Sequence, residues 1–449
     1  MKVSEPLGAT SLGGAFELTT SGPGSRKALS MRWGWVGLGG LLATGIVIVG
    51  SAARTGLLLP ESVRSLPDWL TGPFGRHGFD LGLGGLIAVL ALMLISYAVA
   101  IRAADQLSAR AVLVSIGVLN ALALLAPPLL STDMFSYMAY GRMAAVYGSN
   151  PYLHGPNTIL DPLTSFIGTQ WATTPTAYGP LFTAISSVLA PLDVPAGVIA
   201  YKAIAAASVL VIVAAVWNAA RLRGLNPVKA AALVGLNPVI VVFGVGGGHN
   251  DLLMLAFLVT GVYVLLRQNE RTSGALIVAA TVVKFTAGLL LPFAFAASHA
   301  RGDGSRRRLS LLTGAAAAAV LAVILGFALF GSGPLHLLGT VQKIQDEGGA
   351  QSIPGVILKV LGLGSLSGPA GLVLDAGFLV CLVWLVRRVW KGELDWIAGA
   401  GWATFGLLVT AGLLVPWYVG WLVPLAALSG DRRLLVAAIA MTGLGLTTL

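Results

Sequence analysis

The chain has 449 residues, 56% of them hydrophobic and only 10% charged, with a mean hydropathy of +0.85. Soluble domains carry about 25% charged residues, so an ordinary globular protein is excluded. The formal net charge of +10 is spread between apolar runs, which excludes a nucleic-acid-binding face and reads as membrane topology.

Residues 1–30, rich in Gly, Ser and Thr, read as a flexible cytoplasmic tail ahead of one polytopic domain over 31–449. The first apolar run, Trp35–Ala53, follows basic residues as a signal peptide would. It is long enough to span, however, and no small-residue cleavage site follows, so it reads as a retained helix. Further spans are expected at about 79–101, 111–130, 196–219, 230–245, 251–267, 309–330, 369–386, 397–413, 416–430 and 434–449. The run 178–192 is short and stopped by Pro191 and Pro195, which predicts a re-entrant or interfacial helix. The stretch 273–299 is too long for one helix and is interrupted at Lys284, which predicts two short helices meeting near the outer face. The expected fold is thus all-α, with about 13 transmembrane helices and short juxtamembrane helices in extracytoplasmic loops. Cys381, inside an apolar run, reads as an inert buried thiol.

With those choices, cytoplasmic segments hold 20 of the 28 Lys and Arg, outer loops six, and Lys202 and Lys284 lie within helical runs. Counting 178–192 as a full span would put Arg306, Arg307 and Arg308 outside, against the positive-inside rule. The long loops, about 54–78, 131–195 and 331–368, all fall on the outer side of a plasma membrane. Function is expected there.

Loop 131–195 begins just after Pro127 and Pro128. Read as a helix, Asp133, Tyr137 and Tyr140 share one face. A carboxylate at the edge of a low-dielectric region is a general-base candidate, while a helix cap is the competing reading. Asn150, Tyr152, Trp171 and Tyr178 follow among turn residues, with Arg142 and His154 nearby. They suit a sugar-stacking platform or an interfacial aromatic belt.

The order D-M-F-S-Y at 133–137, N-P-Y at 150–152 and Y-G-P at 178–180 resembles the GT-C glycosyltransferases, which take sugar from a polyprenyl phosphate carrier. L-N-P at 236–238, G-G-G-H-N-D at 246–251, the lysine of T-V-V-K-F-T and P-W-Y at 416–418 extend the likeness. Within that superfamily the chain is most similar to the actinobacterial polyprenyl-phosphomannose-dependent α-1,6-mannosyltransferases of lipomannan assembly. The resemblance implies that Asp133 is the catalytic base and that a polyprenyl phosphate mannose donor and a lipid-anchored mannan acceptor meet in a cavity at the outer membrane face. It also implies inversion of a β-linked donor to an α-linked product.

The remaining polar residues read as follows. Lys284, ionisable inside an apolar stretch, is a donor-phosphate contact candidate, with Arg142, His249 and Lys343. His249 has no suitably spaced second histidine for a metal site. Asn250 and Asp251 either cap a helix or serve the site, as sugar or acceptor contacts or, for Asp251, by pairing with a cavity cation. Lys202 reads as snorkelling to the outer surface, and Asp375 as a partner for Lys202 or Lys284. Trp417 and Tyr418 are sugar-stacking candidates, and 331–368 reads as a lid with a Gly348-Gly349 hinge or as a plain loop. No dense carboxylate cluster lies near Asp133, which argues against a tightly bound divalent metal and leaves no firmly bound cofactor expected. Competing functions are a flippase for a polyprenyl-linked sugar, a GT-C enzyme using another lipid-linked sugar, and a ligase moving whole glycans.

Overall fold

The computed structural model describes residues 23–64, 67–72, 75–299, 304–348, 352–363 and 367–447. Most of the expected tail, 1–22, and Gly349 of the expected hinge lie outside them. No strand occurs among the described residues.

Helices α1 (Pro23–Ser51), α2 (Gly82–Arg102) and α3 (Ala109–Leu125) pack together at the N-terminal side. Three short helices follow: α4 (Asp133–Ala145), α5 (Thr169–Ala172) and α6 (Pro180–Leu189). The central group is α7 (Val194–Leu222), α8 (Pro227–Gly235), α9 (Asp251–Leu266), α10 (Glu270–Val283), α11 (Leu291–His299) and α12 (Gly304–Phe330). Then come α13 (Leu337–Glu347) and α14 (Ile353–Val360), and last α15 (Ser367–Trp390), α16 (Trp396–Thr410), α17 (Val423–Ser429) and α18 (Arg432–Thr447). Among the described residues, five helices are long and apolar enough to cross a membrane: the Met31–Ser51 part of α1, α2, α7, α12 and the Gly368–Trp390 part of α15.

The expected interruption at Lys284 is present. Lys284 is extended (φ −149°, ψ 118°) between α10 and a 3-10 turn, Phe285–Leu290, that leads into α11. The run 178–192 folds as the ten-residue α6. The expected continuous span 230–245 is instead broken. Pro238 cannot donate a helical hydrogen bond, and Asn237 Oδ1 restarts the chain by accepting from Val239 and Ile240 at 3.0 and 3.3 Å. A π-helical turn, Ile240–Val245, then runs into the three glycines.

Connections sort to two ends. At one, Arg223 pairs with Asp395 at 3.1 Å, Asn226 donates to Asp105 at 2.8 Å, and Arg307 pairs with Glu270 at 3.1 Å. At the other, the segments beginning at Ser131, Gly246, Lys284 and Pro416 converge on the site described below. These are the two loop sets that the sequence separates.

Two expectations fail here. Lys202 does not snorkel: its side chain is wholly buried and donates to the carbonyls of Ala126 and Pro127. Because α3 ends ahead of Pro127, the Ala126 and Pro127 carbonyls are left without helical donors and give the ammonium partners inside the bundle, so it need not reach a surface. Cys381 is exposed, because α15 packs against neighbours along one side only and leaves its other face bare.

Candidate active site

Lys202 fixes where the chain leaves α3, and with it the start of α4. Leu130 turns through φ +59°, and Ser131 Oγ accepts from the Asp133 N–H at 3.2 Å. Thr132 occupies the N-cap position, so Asp133 is the first helical residue, and among the described residues its carboxylate accepts no backbone N–H. Capping is therefore not its role.

Three groups meet Asp133 Oδ2 instead. Tyr137 and Tyr178 donate their hydroxyls at 3.3 and 3.4 Å, and His249 Nδ1 stands at 3.4 Å. Burial pushes the Asp133 carboxyl up, but the His249 contact and charge, the Lys284 charge and the Tyr137 hydrogen bond outweigh it. The result lies below the ordinary carboxylate value of 3.8. The Asp133 side chain keeps 16% exposure, and it is thus an ionised carboxylate open to one side.

That side is a cavity of about 970 Å³. Asp133, Tyr140, Tyr178, Lys284, Trp417 and Tyr418 form its polar and aromatic wall, and apolar residues of α14, α15 and α16 form much of the rest. Lys284 Nζ pairs with Asp251 Oδ1 at 2.8 Å and lies 4.4 Å from the Tyr418 ring centroid. Trp421 donates to the same Asp251 oxygen at 2.7 Å. Asp251 thus takes the pairing role among its expected ones. Val341, Gln342, Ile344, Gln345 and Asp346 of α13 border the cavity, and Gln345 accepts from the Leu413 N–H at 3.0 Å, which lays this part of the 331–368 segment along one wall.

The structure brings Asp133, Tyr137, Tyr140, Tyr178, His249, Asn250, Asp251, Lys284, Trp417 and Tyr418 to one place, but not the other expected residues. Arg142 is absent from the cavity wall. Its guanidinium is bound to both oxygens of Asp161, at 2.8 and 3.0 Å, and to the Leu192 carbonyl at 2.9 Å. Lys343 points outward, 71% exposed, next to Glu347. Asn150 accepts from the Tyr152 N–H and donates to the Phe330 carbonyl, and Tyr152 is buried against Tyr178 and Thr183. These two hold the loop that carries Tyr178. Tyr137 itself is buried behind Asp133 and touches Asn250 at 3.5 Å. Asp375 borders the cavity but pairs with neither lysine, because Asp251 and backbone carbonyls already hold them.

Sequence reasoning missed Trp421 and the pinning role of Lys202. Trp421 sits in the same P-W-Y-V-G-W turn as Trp417 and Tyr418, so the tryptophan spacing carried a signal. Among the described residues no group of three or more His, Cys, Asp or Glu side chains is placed to hold a metal ion.

Fold and site together define a multi-pass helical membrane protein with a carboxylate-bearing cavity at one end of its bundle. Residues 35–300 match the model of the α-(1→6)-mannopyranosyltransferase N-terminal domain, and residues 353–447 match the model of the MptB C-terminal domain. The chain belongs to this family. It is 29% identical to α-(1→6)-mannopyranosyltransferase B of Corynebacterium glutamicum, over 68% of this chain and 56% of the relative. It is 29% identical to α-(1→6)-mannopyranosyltransferase A of Mycobacterium tuberculosis, over 71% of this chain and 65% of that one. A probable α-(1→6)-mannopyranosyltransferase of Mycolicibacterium smegmatis is 28% identical over the same shares. The chain therefore spans a little over half of these relatives' length. No solved structure matches it.

Proposed function

We propose that the chain is an inverting α-1,6-mannosyltransferase of GT-C type, using polyprenyl phosphate mannose to extend a lipid-anchored mannan. The described residues hold five long and five shorter apolar helices, fewer than the thirteen passes expected, and we place the cavity at the outer face of the plasma membrane. The 20-to-six bias of basic residues supports that orientation, and the pairing of the basic loops at the opposite end agrees with it.

The observation that carries the reading is Asp133: ionised, not used as a cap, and at the rim of a cavity with an aromatic and an apolar side. The isoprenoid chain of the sugar donor would lie on the apolar side and its phosphate near Lys284. Asp133 would take the proton from the acceptor hydroxyl as that oxygen bonds to the anomeric carbon. The bond from that carbon to the phosphate oxygen breaks on the opposite face, so configuration inverts and the electron pair leaves with the phosphate. Trp417 and Tyr418 offer ring faces for sugar stacking, and α13 would cover the bound substrates.

Purified protein incubated with radiolabelled polyprenyl-phosphomannose and a short α-1,6-mannoside tests this. Labelled product is expected, lowered about 10²–10⁴-fold in Asp133→Asn and retained in Asn226→Ala, whose cap lies at the far end. Vectorial lipid movement in vesicles with no transfer to any mannoside would replace the enzyme by a flippase.

A further inference from the structure

Burial rules out the role expected for His249 as a phosphate contact, because its side chain is 0% exposed and cannot meet an anion in the cavity. The imidazole lies flat on Trp417, with ring centroids 3.7 Å apart and planes at 20°. Nδ1 stands 3.4 Å from Asp133 Oδ2, an ion-pair distance, and among the described residues neither ring nitrogen has a hydrogen-bond partner. A buried polar ring without partners costs about 1–3 kcal/mol, so its one polar neighbour is the reason to look for a use.

The surrounding backbone is built to admit the ring. A Cβ at Gly247 would lie 2.8 Å from Nε2 and Cδ2 of His249, so a side chain there would collide with it. Gly248 turns the chain through φ +65°, a conformation glycine adopts at no steric cost, and the His249 N–H then donates to the Gly244 carbonyl at 2.9 Å. On the other partner, Tyr137, Tyr178 and His249 all meet Oδ2, while Oδ1 accepts no hydrogen bond among the described residues.

We propose that His249 is a positioning residue for the proton transfer: from a ring clamped on Trp417, its Nδ1–H closes onto Oδ2 when substrate binds and holds the Asp133 carboxylate with Oδ1 turned to the acceptor hydroxyl. The proposal rests on Asp133 being the base. The acceptor's proton ends on Asp133, and His249 keeps its own. Apo catalytic contacts are often long and tighten when substrate closes the site, which suits the 3.4 Å separation. The other titratable or charged groups facing the pair are Tyr137 and Tyr178 on Oδ2, Lys202 behind Gly248, and Lys284 with Asp251 across the site.

The test compares three full-length variants in detergent with the mannosyl-transfer assay above. His249→Phe keeps a ring on Trp417 but cannot donate. His249→Asn keeps an N–H near the Nδ1 position, and His249→Gln places it at the Nε2 position instead. In His249→Phe, kcat is expected to fall about 10-fold or more with the KM for the sugar donor unchanged. The acid limb of kcat/KM should move to higher pH, because a contact that keeps the carboxylate ionised has gone. His249→Asn should recover part of the loss.

Wild-type kcat and pH profile in His249→Phe, or a loss confined to the donor KM, overturns the proposal. If His249→Phe does not fold, equal activity of the Asn and Gln variants does so. Asp133→Asn is measured alongside. Activity in that variant removes the base itself, whereas its inactivity beside an indifferent His249→Phe removes only this inference.

Discussion

Lys284 Nζ and Asp251 Oδ1 lie 2.8 Å apart across the break that ends α10, and Trp421 donates to the same oxygen at 2.7 Å. The pair joins three segments far apart in sequence at the floor of the cavity. Removing one partner of a buried pair leaves an uncompensated charge and costs about 3–5 kcal/mol, while removing both costs less. Lys284→Met should therefore lower the Tm in detergent markedly, and Lys284→Met with Asp251→Asn should recover part of that loss. An unchanged Tm in the single variant would show that the pair holds nothing together.

The pH dependence follows from Asp133. With Asp133 as the proposed base, the unprotonated form is the active one, and its carboxyl sits below the ordinary value of 3.8 because the His249 and Tyr137 contacts and the Lys284 charge outweigh burial. As pH falls, kcat/KM should hold until the carboxyl protonates, placing the acid limb below that ordinary value. A limb assigned to Asp133 but centred above 3.8 contradicts the described contacts.

Arg142 should behave as a structural clamp. Arg142→Ala leaves the Asp161 carboxylate, only 5% exposed, without its cation, at a cost of about 1–3 kcal/mol. Thermal unfolding should register this, and the KM for the sugar donor should not rise in the protein that remains folded. Burial raises the Asp161 carboxyl, but the Leu163 N–H and Arg142 bring it below its usual value. The clamp's stability is thus present above the unfolded value and lost as pH falls through the folded one.

Gly179 should tolerate no side chain. Its N–H donates to the Val283 carbonyl at 3.0 Å, and a Cβ would lie 2.0 Å from the Val282 carbonyl oxygen. Gly179→Ala must push α6 from α10, at about 1–3 kcal/mol. Tyr178 and Lys284 flank this contact, so kcat should fall together with Tm. A stable variant of normal activity would show that the close approach is dispensable.

Much of the site was legible because special residues interrupt apolar runs. Lys284 stands out in T-V-V-K-F-T, Asp133 follows two prolines, and Trp417 opens a proline-led turn; the two charged residues are costly inside a bilayer unless something meets them. The errors concern what meets them. Lys202 and Lys284 look alike in sequence, yet one donates to carbonyls freed by prolines and the other to a carboxylate from a different helix. Arg142, near Asp133 in sequence, turns to Asp161 and leaves the cavity.

Composition and spacing by themselves determined an all-helical membrane chain, the interruption at Lys284, the short α6, and the segregation of its loops, because hydrophobic run length and basic-residue placement act locally. Only the tertiary structure decided which polar groups neutralise one another, leaving Arg142 and Lys343 away from the cavity and His249 behind Asp133. Inside a low-dielectric bundle a charge takes the partner that packing brings within hydrogen-bond reach, and sequence distance does not encode that reach.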